Sequence, residues 1–173
     1  MPAPAVVVMG VSASGKSTVG AALARDLGVP FVDGDDLHPA ANVAKMSRGV
    51  PLDDADRMPW LDAIGARLAE AAGHGGLVVA CSALKRAYRD RLRAAAPTTV
   101  FVHVWADPET LVRRATARTG HFMPASLLVS QLATLEPLAV DEPGAVFDVS
   151  AGDADRVAAD AARWVAQHAG SSL

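Results

Sequence analysis

Gly10, Gly15, Lys16 and Ser17 stand in the spacing G-x-x-x-x-G-K-[ST] within VVVMGVSASGKST. Residue types in that order suit a polyphosphate. Glycines let successive backbone N–H groups turn inward around an anion, a helix N-terminus behind them adds partial positive charge, and a lysine reaches the outer phosphates. Ser17 brings a hydroxyl that can ligate Mg²⁺, and Ser12, Ala13, Ser14 and Thr18 complete the candidate nucleotide-binding set. The bland alternative is a glycine turn with a surface lysine, which leaves the full spacing and its flanks as coincidence.

Further along, DGDDLHPAANVAKM at residues 33–46 gathers three carboxylates within four positions. A phosphate loop needs an acidic residue at a strand end to hold Mg²⁺ through water. The apolar run LVVAC ends in Cys81 and offers none, whereas PFVD ends in Asp33, so Asp33 is the candidate metal residue beside Ser17. Asp35, past the flexible Gly34, can face another target and accept the proton of an attacking hydroxyl. A solvated turn capping a short helix stays open for Asp35 and is the preferred reading of Asp36.

The elements that must position these groups follow from hydrophobic pattern. Short apolar runs at Ala5 to Met9, Pro30 to Val32, Leu77 to Cys81, Thr99 to Trp105 and Ala145 to Val149 read as strands. Between them, Lys16 to Leu27, Arg57 to Ala72, Lys85 to Ala95, Pro108 to Ala117, Ser126 to Leu135 and Asp153 to His168 carry apolar residues at helical spacing. Strands apolar on both faces that alternate with helices imply a parallel five-stranded sheet covered on both sides, a three-layer α/β fold. Two stretches interrupt the alternation: an insertion at about 34–60, expected to bind an acceptor, and a lid at about 114–125, which contains RTGHFMPA.

The chain has 173 residues, 51% of them hydrophobic, which predicts one domain with a sizeable core. A net charge of -3 argues against nucleic acid, whose binders show a basic face. No apolar run approaches a membrane span, and MPAPAVVVMG lacks a basic n-region, so it reads as a first strand and not a signal peptide. The single cysteine, Cys81, cannot form an internal disulfide, and a cytoplasmic location is expected.

GVSASGKST, DGDDLHP, the N-x-x-K-M of Asn42 to Met46, GVPLDDADRMPWL, CSALKRAYRDRLR and GHFMP together resemble the gluconokinases among the P-loop small-molecule kinases. The match runs from about residue 5 to about Pro137 and thins beyond. The resemblance implies a fold like that of nucleoside monophosphate and shikimate kinases, transfer of the ATP γ-phosphate to the 6-hydroxyl of D-gluconate, Mg²⁺ as cofactor, and a homodimer. Loops of this kind often have glycine where this chain has Ala13; a positive φ there would strain alanine by about 1 kcal/mol or more.

A sugar-acid acceptor needs a fixed cation. Arg57, where a loop gives way to a helix, is the best candidate for a bidentate carboxylate contact, the alternative being an exposed arginine paired with Asp54 or Asp56. His38, Lys45 and Arg48 join the acceptor set on the strength of the resemblance, as does His121 in GHFMP. Ser82 and Lys85 follow a strand's carboxyl end, where ligands of open α/β sheets bind, although Ser82 could equally be a plain helix N-cap. Of the arginines in RRATARTGHFMP, Arg118 is expected to contact phosphate and Arg114 to stack on adenine, while Arg113 reads as a solvated helix end. A shikimate-type kinase and a nucleotide-dependent switch are the competing functions.

Overall fold

Five strands carry the molecule: β1 (Ala5–Met9), β2 (Phe31–Asp33), β3 (Leu77–Ala80), β4 (Val100–Trp105) and β5 (Gly144–Asp148). In the computed structural model, which describes residues 3–117 and 125–169, they pair in parallel in the order β2-β3-β1-β4-β5. The central strand β1 is buried at every residue, because a parallel strand covered on both faces has no wet side.

Alternate residues of β1 serve two cores. Val6 and Val8 pack with Val102 and Val104 under Leu23 and Val165, which come from helices α1 (Lys16–Leu27) and α7 (Ala154–His168). Val7 and Met9 pack with Phe101 against the opposite layer, formed by α3 (Asp54–Ala72) and α4 (Arg86–Ala95) through Leu61, Ile64 and Leu92. This is the expected three-layer sandwich. Among the described residues the remaining helices are α2 (Ala40–Ser47), α5 (Pro108–Ala117) and α6 (Ala125–Thr134).

Two local expectations are corrected. Helix α3 starts at Asp54, three residues before Arg57, because Asp53 and Asp56 form a reciprocal cap: the Asp53 carboxylate accepts from Asp56 N at 2.7 Å and Asp56 accepts from Asp53 N at 3.0 Å. The acidic run that read as loop is the start signal itself. The insertion at about 34–60, for which no helix bounds were read before Arg57, holds a 3₁₀ turn at Gly34–Leu37 and the eight-residue α2. So short a helix is marginal alone, and buried Asn42 anchors it by donating to the Asp56 carbonyl at 2.9 Å.

Candidate active site

The phosphate loop leaves β1 at a point only glycine can occupy. Gly10 has φ 151, and a Cβ there would lie 2.6 Å from the Val104 carbonyl and 2.9 Å from Ser14 Oγ. Gly15, at φ 88, precedes the first residue of α1. Between them Ala13 takes φ 66, so the strain anticipated for an alanine here is present. The Val11 carbonyl gathers the loop, accepting from Ser14 N at 3.3 Å, Ser14 Oγ at 2.6 Å and Lys16 Nζ at 3.2 Å. A cavity of about 430 Å³ opens beside it, lined by Ala13, Ser14, Gly15 and Thr18 on one side and by Arg114, Val149 and Gly152 on the other. Arg114, on α5, donates to the Val149 carbonyl at 2.6 Å and so forms part of that wall.

Asp33 closes the gap between loop and acidic turn. Its Oδ2 accepts from Ser17 Oγ at 3.0 Å and its Oδ1 accepts from Asp35 N at 3.0 Å, capping the 3₁₀ turn. A hydroxyl and a carboxylate are hard oxygen donors of the kind Mg²⁺ takes, alongside water and substrate phosphates. The pair fits that ion. Among the described residues no group of three or more His, Cys, Asp or Glu could hold a metal by itself, so substrate oxygens and water would have to complete the shell. Asp35 and Asp36 are both exposed at this turn.

The turn is fixed from below by Trp60, which the sequence reading did not single out. Its indole N–H donates to the Gly34 carbonyl at 2.7 Å, and its ring stacks on His38 at 4.2 Å between centroids. A Cβ on Gly34 would fall 2.4 Å from the Ala80 carbonyl, so the turn passes directly over the end of β3. Asn42 Nδ2 lies 3.2 Å from His38 Nδ1, which accepts and leaves the proton on Nε2. Burial lowers the pKa of His38 from its ordinary value, opposed by the nearby Asp35 charge and assisted by Arg57.

Arg57 does not pair with Asp54 or Asp56 directly. Its Nη1 donates to Tyr88 Oη at 2.9 Å, and Tyr88 Oη donates to Asp54 Oδ1 at 2.5 Å. Lys85 reaches the same Asp54 oxygen at 3.3 Å and sits 5.6 Å from the Tyr88 ring centroid, with the Arg57 guanidinium at 5.5 Å. The Tyr88 and Lys85 hydrogen bonds hold the Asp54 carboxyl below its usual range. Two cations thus flank one tyrosine. Tyr88 lies one helical turn beyond Lys85 in CSALKRAYRDRLR, and that spacing was the available signal for it. Lys45 pairs with Asp56 at 2.5 Å, while Arg48 ends α2 exposed to solvent.

Ser82 is not the helix cap. Lys85 occupies the N-cap position of α4, and the Ser82 carbonyl instead accepts from Gly10 N at 3.3 Å, joining the loop after β3 to the phosphate loop. Cys81 is buried and its thiol is pushed up to about 12, chiefly by desolvation, so it packs inertly. Arg118 and His121 lie outside the described residues.

The family model of the AAA domain matches residues 6–138. A gluconokinase of Gluconobacter oxydans is 56% identical over 140 residues, covering 80% of this chain and 78% of its own. The thermosensitive gluconokinase of Escherichia coli is 46% identical over 142 residues, covering 79% and 73%. The crystal structure of a gluconokinase from Sinorhizobium meliloti 1021, 48% identical, superposes with a TM-score of 0.86 over 96% of this chain and 93% of that one. A shikimate kinase from Bacteroides thetaiotaomicron, 17% identical with a TM-score of 0.67, shares the fold. Identity of 46–56% over about four fifths of the chain goes beyond a common fold, and the chain belongs to the gluconokinase family of P-loop kinases.

Proposed function

We propose that the chain transfers the γ-phosphoryl group of ATP to the 6-hydroxyl of D-gluconate, giving 6-phospho-D-gluconate and ADP. One observation carries this reading: the Ser17–Asp33 contact joins a phosphate cradle to the acidic turn bearing Asp35, with the cations Arg57 and Lys85 on neighbouring elements. The gluconokinase relatives favour gluconate over shikimate, and an acidic turn joined to the phosphate loop favours transfer to an acceptor over a switch.

The residues divide the work. The amides of Ser12 to Thr18 and the Lys16 ammonium bind the phosphates, and Arg114 stacks on the base. Ser17 and Asp33 hold Mg²⁺, which when bound neutralises charge on the phosphate oxygens. Arg57, with Lys85, takes the gluconate carboxylate, while His38, Lys45, Arg48 and Ser82 bind its hydroxyls. His121 joins that acceptor set. Asp35 accepts the proton as the 6-oxygen bonds to the γ-phosphorus and the bond to ADP breaks. Arg118 is assigned to the developing charge on the transferred group from sequence alone.

A homodimer in the cytoplasm completes the proposal, on the resemblance to the family. Among the described residues no helix is long and apolar enough to cross a membrane. The test is ADP release with Mg²⁺ and ATP over a panel of sugar acids, neutral sugars, shikimate and nucleosides. Gluconate is expected to be turned over well above the rest; a neutral sugar turned over equally well would overturn the carboxylate pocket.

A further inference from the structure

Gln131 belongs to no motif read from the sequence, yet its side chain reaches the phosphate loop. Its Oε1 accepts from Ser12 N at 2.7 Å, a contact spanning 119 residues of chain. The stretch that follows is tied to the other half of the site, since Glu136 N donates to the Leu84 carbonyl at 2.7 Å and Glu136 Oε1 accepts from Arg86 N at 3.4 Å. Gln131 therefore sits where the phosphate loop meets the loop after β3.

That position corresponds to the outer end of a bound nucleotide. The cavity beside the loop is lined by Ala13, Ser14, Gly15 and Thr18 together with Arg114, and by none of Asp35, Arg57 or Lys85. Gly10, at the base of the loop, instead bonds the Ser82 carbonyl of the acceptor-side loop. Ser12 lies between the two, so its amide serves the phosphate closest to the acceptor. A carboxamide oxygen on that amide occupies a donor the phosphate needs, but the same group carries an NH₂ on the same carbon.

We infer that Gln131 is a positioning residue for the terminal phosphate, an inference that rests on the nucleotide reading above. Its carbonyl holds the Ser12 amide and so fixes the loop crown. A polyphosphate repels that carbonyl, and rotation about the terminal sp³–sp² torsion, which is broad and nearly two-fold, turns the NH₂ toward a phosphate oxygen and releases Ser12 N–H to it. The contact thus changes from acceptor to donor with no change in backbone.

Glutamate in place of glutamine separates this role from packing. Gln131→Glu keeps size and acceptor, and holds Ser12 N–H more strongly, but it cannot donate and it sets a negative charge against the phosphates. ATP, ADP and gluconate binding are measured by calorimetry with Mg²⁺, alongside melting temperature, for wild type, Gln131→Glu and Gln131→Ala. The expected result for Gln131→Glu is an ATP Kd raised about tenfold or more, a smaller rise for ADP, and gluconate affinity and melting temperature held at wild-type values. Gln131→Ala weakens ATP more than ADP, to a lesser extent. Should the glutamate variant fail to fold, that ATP-over-ADP difference in the alanine variant decides alone. Equal ATP affinity in wild type and Gln131→Glu, or equal effects on ATP and ADP, overturns the inference. A wild-type chain that binds no ATP overturns the nucleotide reading with it.

Discussion

Ser17 Oγ donates a 3.0 Å hydrogen bond to Asp33 Oδ2 across sixteen residues of chain, linking the first turn of α1 to the end of β2. Neither residue is exceptional alone. Because β2 pairs with β3 and β3 with β1, the register of the sheet brings a hydroxyl and a carboxylate to one point beside the phosphate loop.

Asp33→Asn should raise the Mg²⁺ concentration needed for half-maximal rate, with excess metal recovering part of the activity, because the amide keeps one oxygen but loses the charge. Initial rate against Mg²⁺ measures this. An unchanged Mg²⁺ requirement would remove Asp33 from the metal site.

Asp35→Asn should lower kcat by roughly 10²-fold or more at every Mg²⁺ level, since the amide cannot take the proton of the attacking hydroxyl. The same titration, run beside Asp33→Asn, distinguishes base from metal residue. Rescue of Asp35→Asn by metal would reverse the two roles.

Tyr88→Phe removes the hydroxyl that accepts from Arg57 and donates to Asp54. With one ordinary hydrogen bond lost at the cation, gluconate KM should rise about fivefold, leaving ATP KM and kcat nearly unchanged. Steady-state kinetics in both substrates checks it; a change confined to ATP would relocate the cluster to the nucleotide side.

Arg89 and Glu142 form an ion pair at 2.9 Å with side chains only 1% and 4% exposed, and Arg89 also donates to the Ala83 and Leu84 carbonyls. Removing one partner strands a buried charge, so Arg89→Met should cost about 3–5 kcal/mol. A fall in melting temperature of roughly 10 °C is the expected readout. The double variant Arg89→Met with Glu142→Leu should recover a large part.

His103 on β4 is 3% exposed, its Nδ1 has no hydrogen-bond partner among the described residues, and burial, with Arg89 assisting, lowers its pKa from 6.5 to about 4. A histidine whose folded pKa is depressed stabilises the fold fully above pH 6.5, and that contribution is lost as pH falls toward 4, where the unfolded chain binds the extra proton. Thermal melts between those values should show a shallower decline for His103→Gln than for wild type.

The phosphate loop and the alternation of strands and helices were legible in the sequence because each rests on local physics: glycine spacing and hydrophobic period. The fold followed from strands with no polar face. What lay beyond reach was decided by contacts between distant segments. Arg57 read as a carboxylate-binding cation, the alternative being a partner for Asp54 or Asp56, and only the packing of α3 against α4 delivered Tyr88 to it. Ser82 read as an acceptor contact or, equally, as a helix cap, whereas the approach of β3 to β1 turned its carbonyl to Gly10. Trp60 was not singled out, and its indole N–H holds the acidic turn only because that turn crosses the end of β3. Gln131 carried no signal at all, since a hydrogen bond spanning 119 residues leaves no trace in spacing; sheet order, not sequence pattern, sets such a distance.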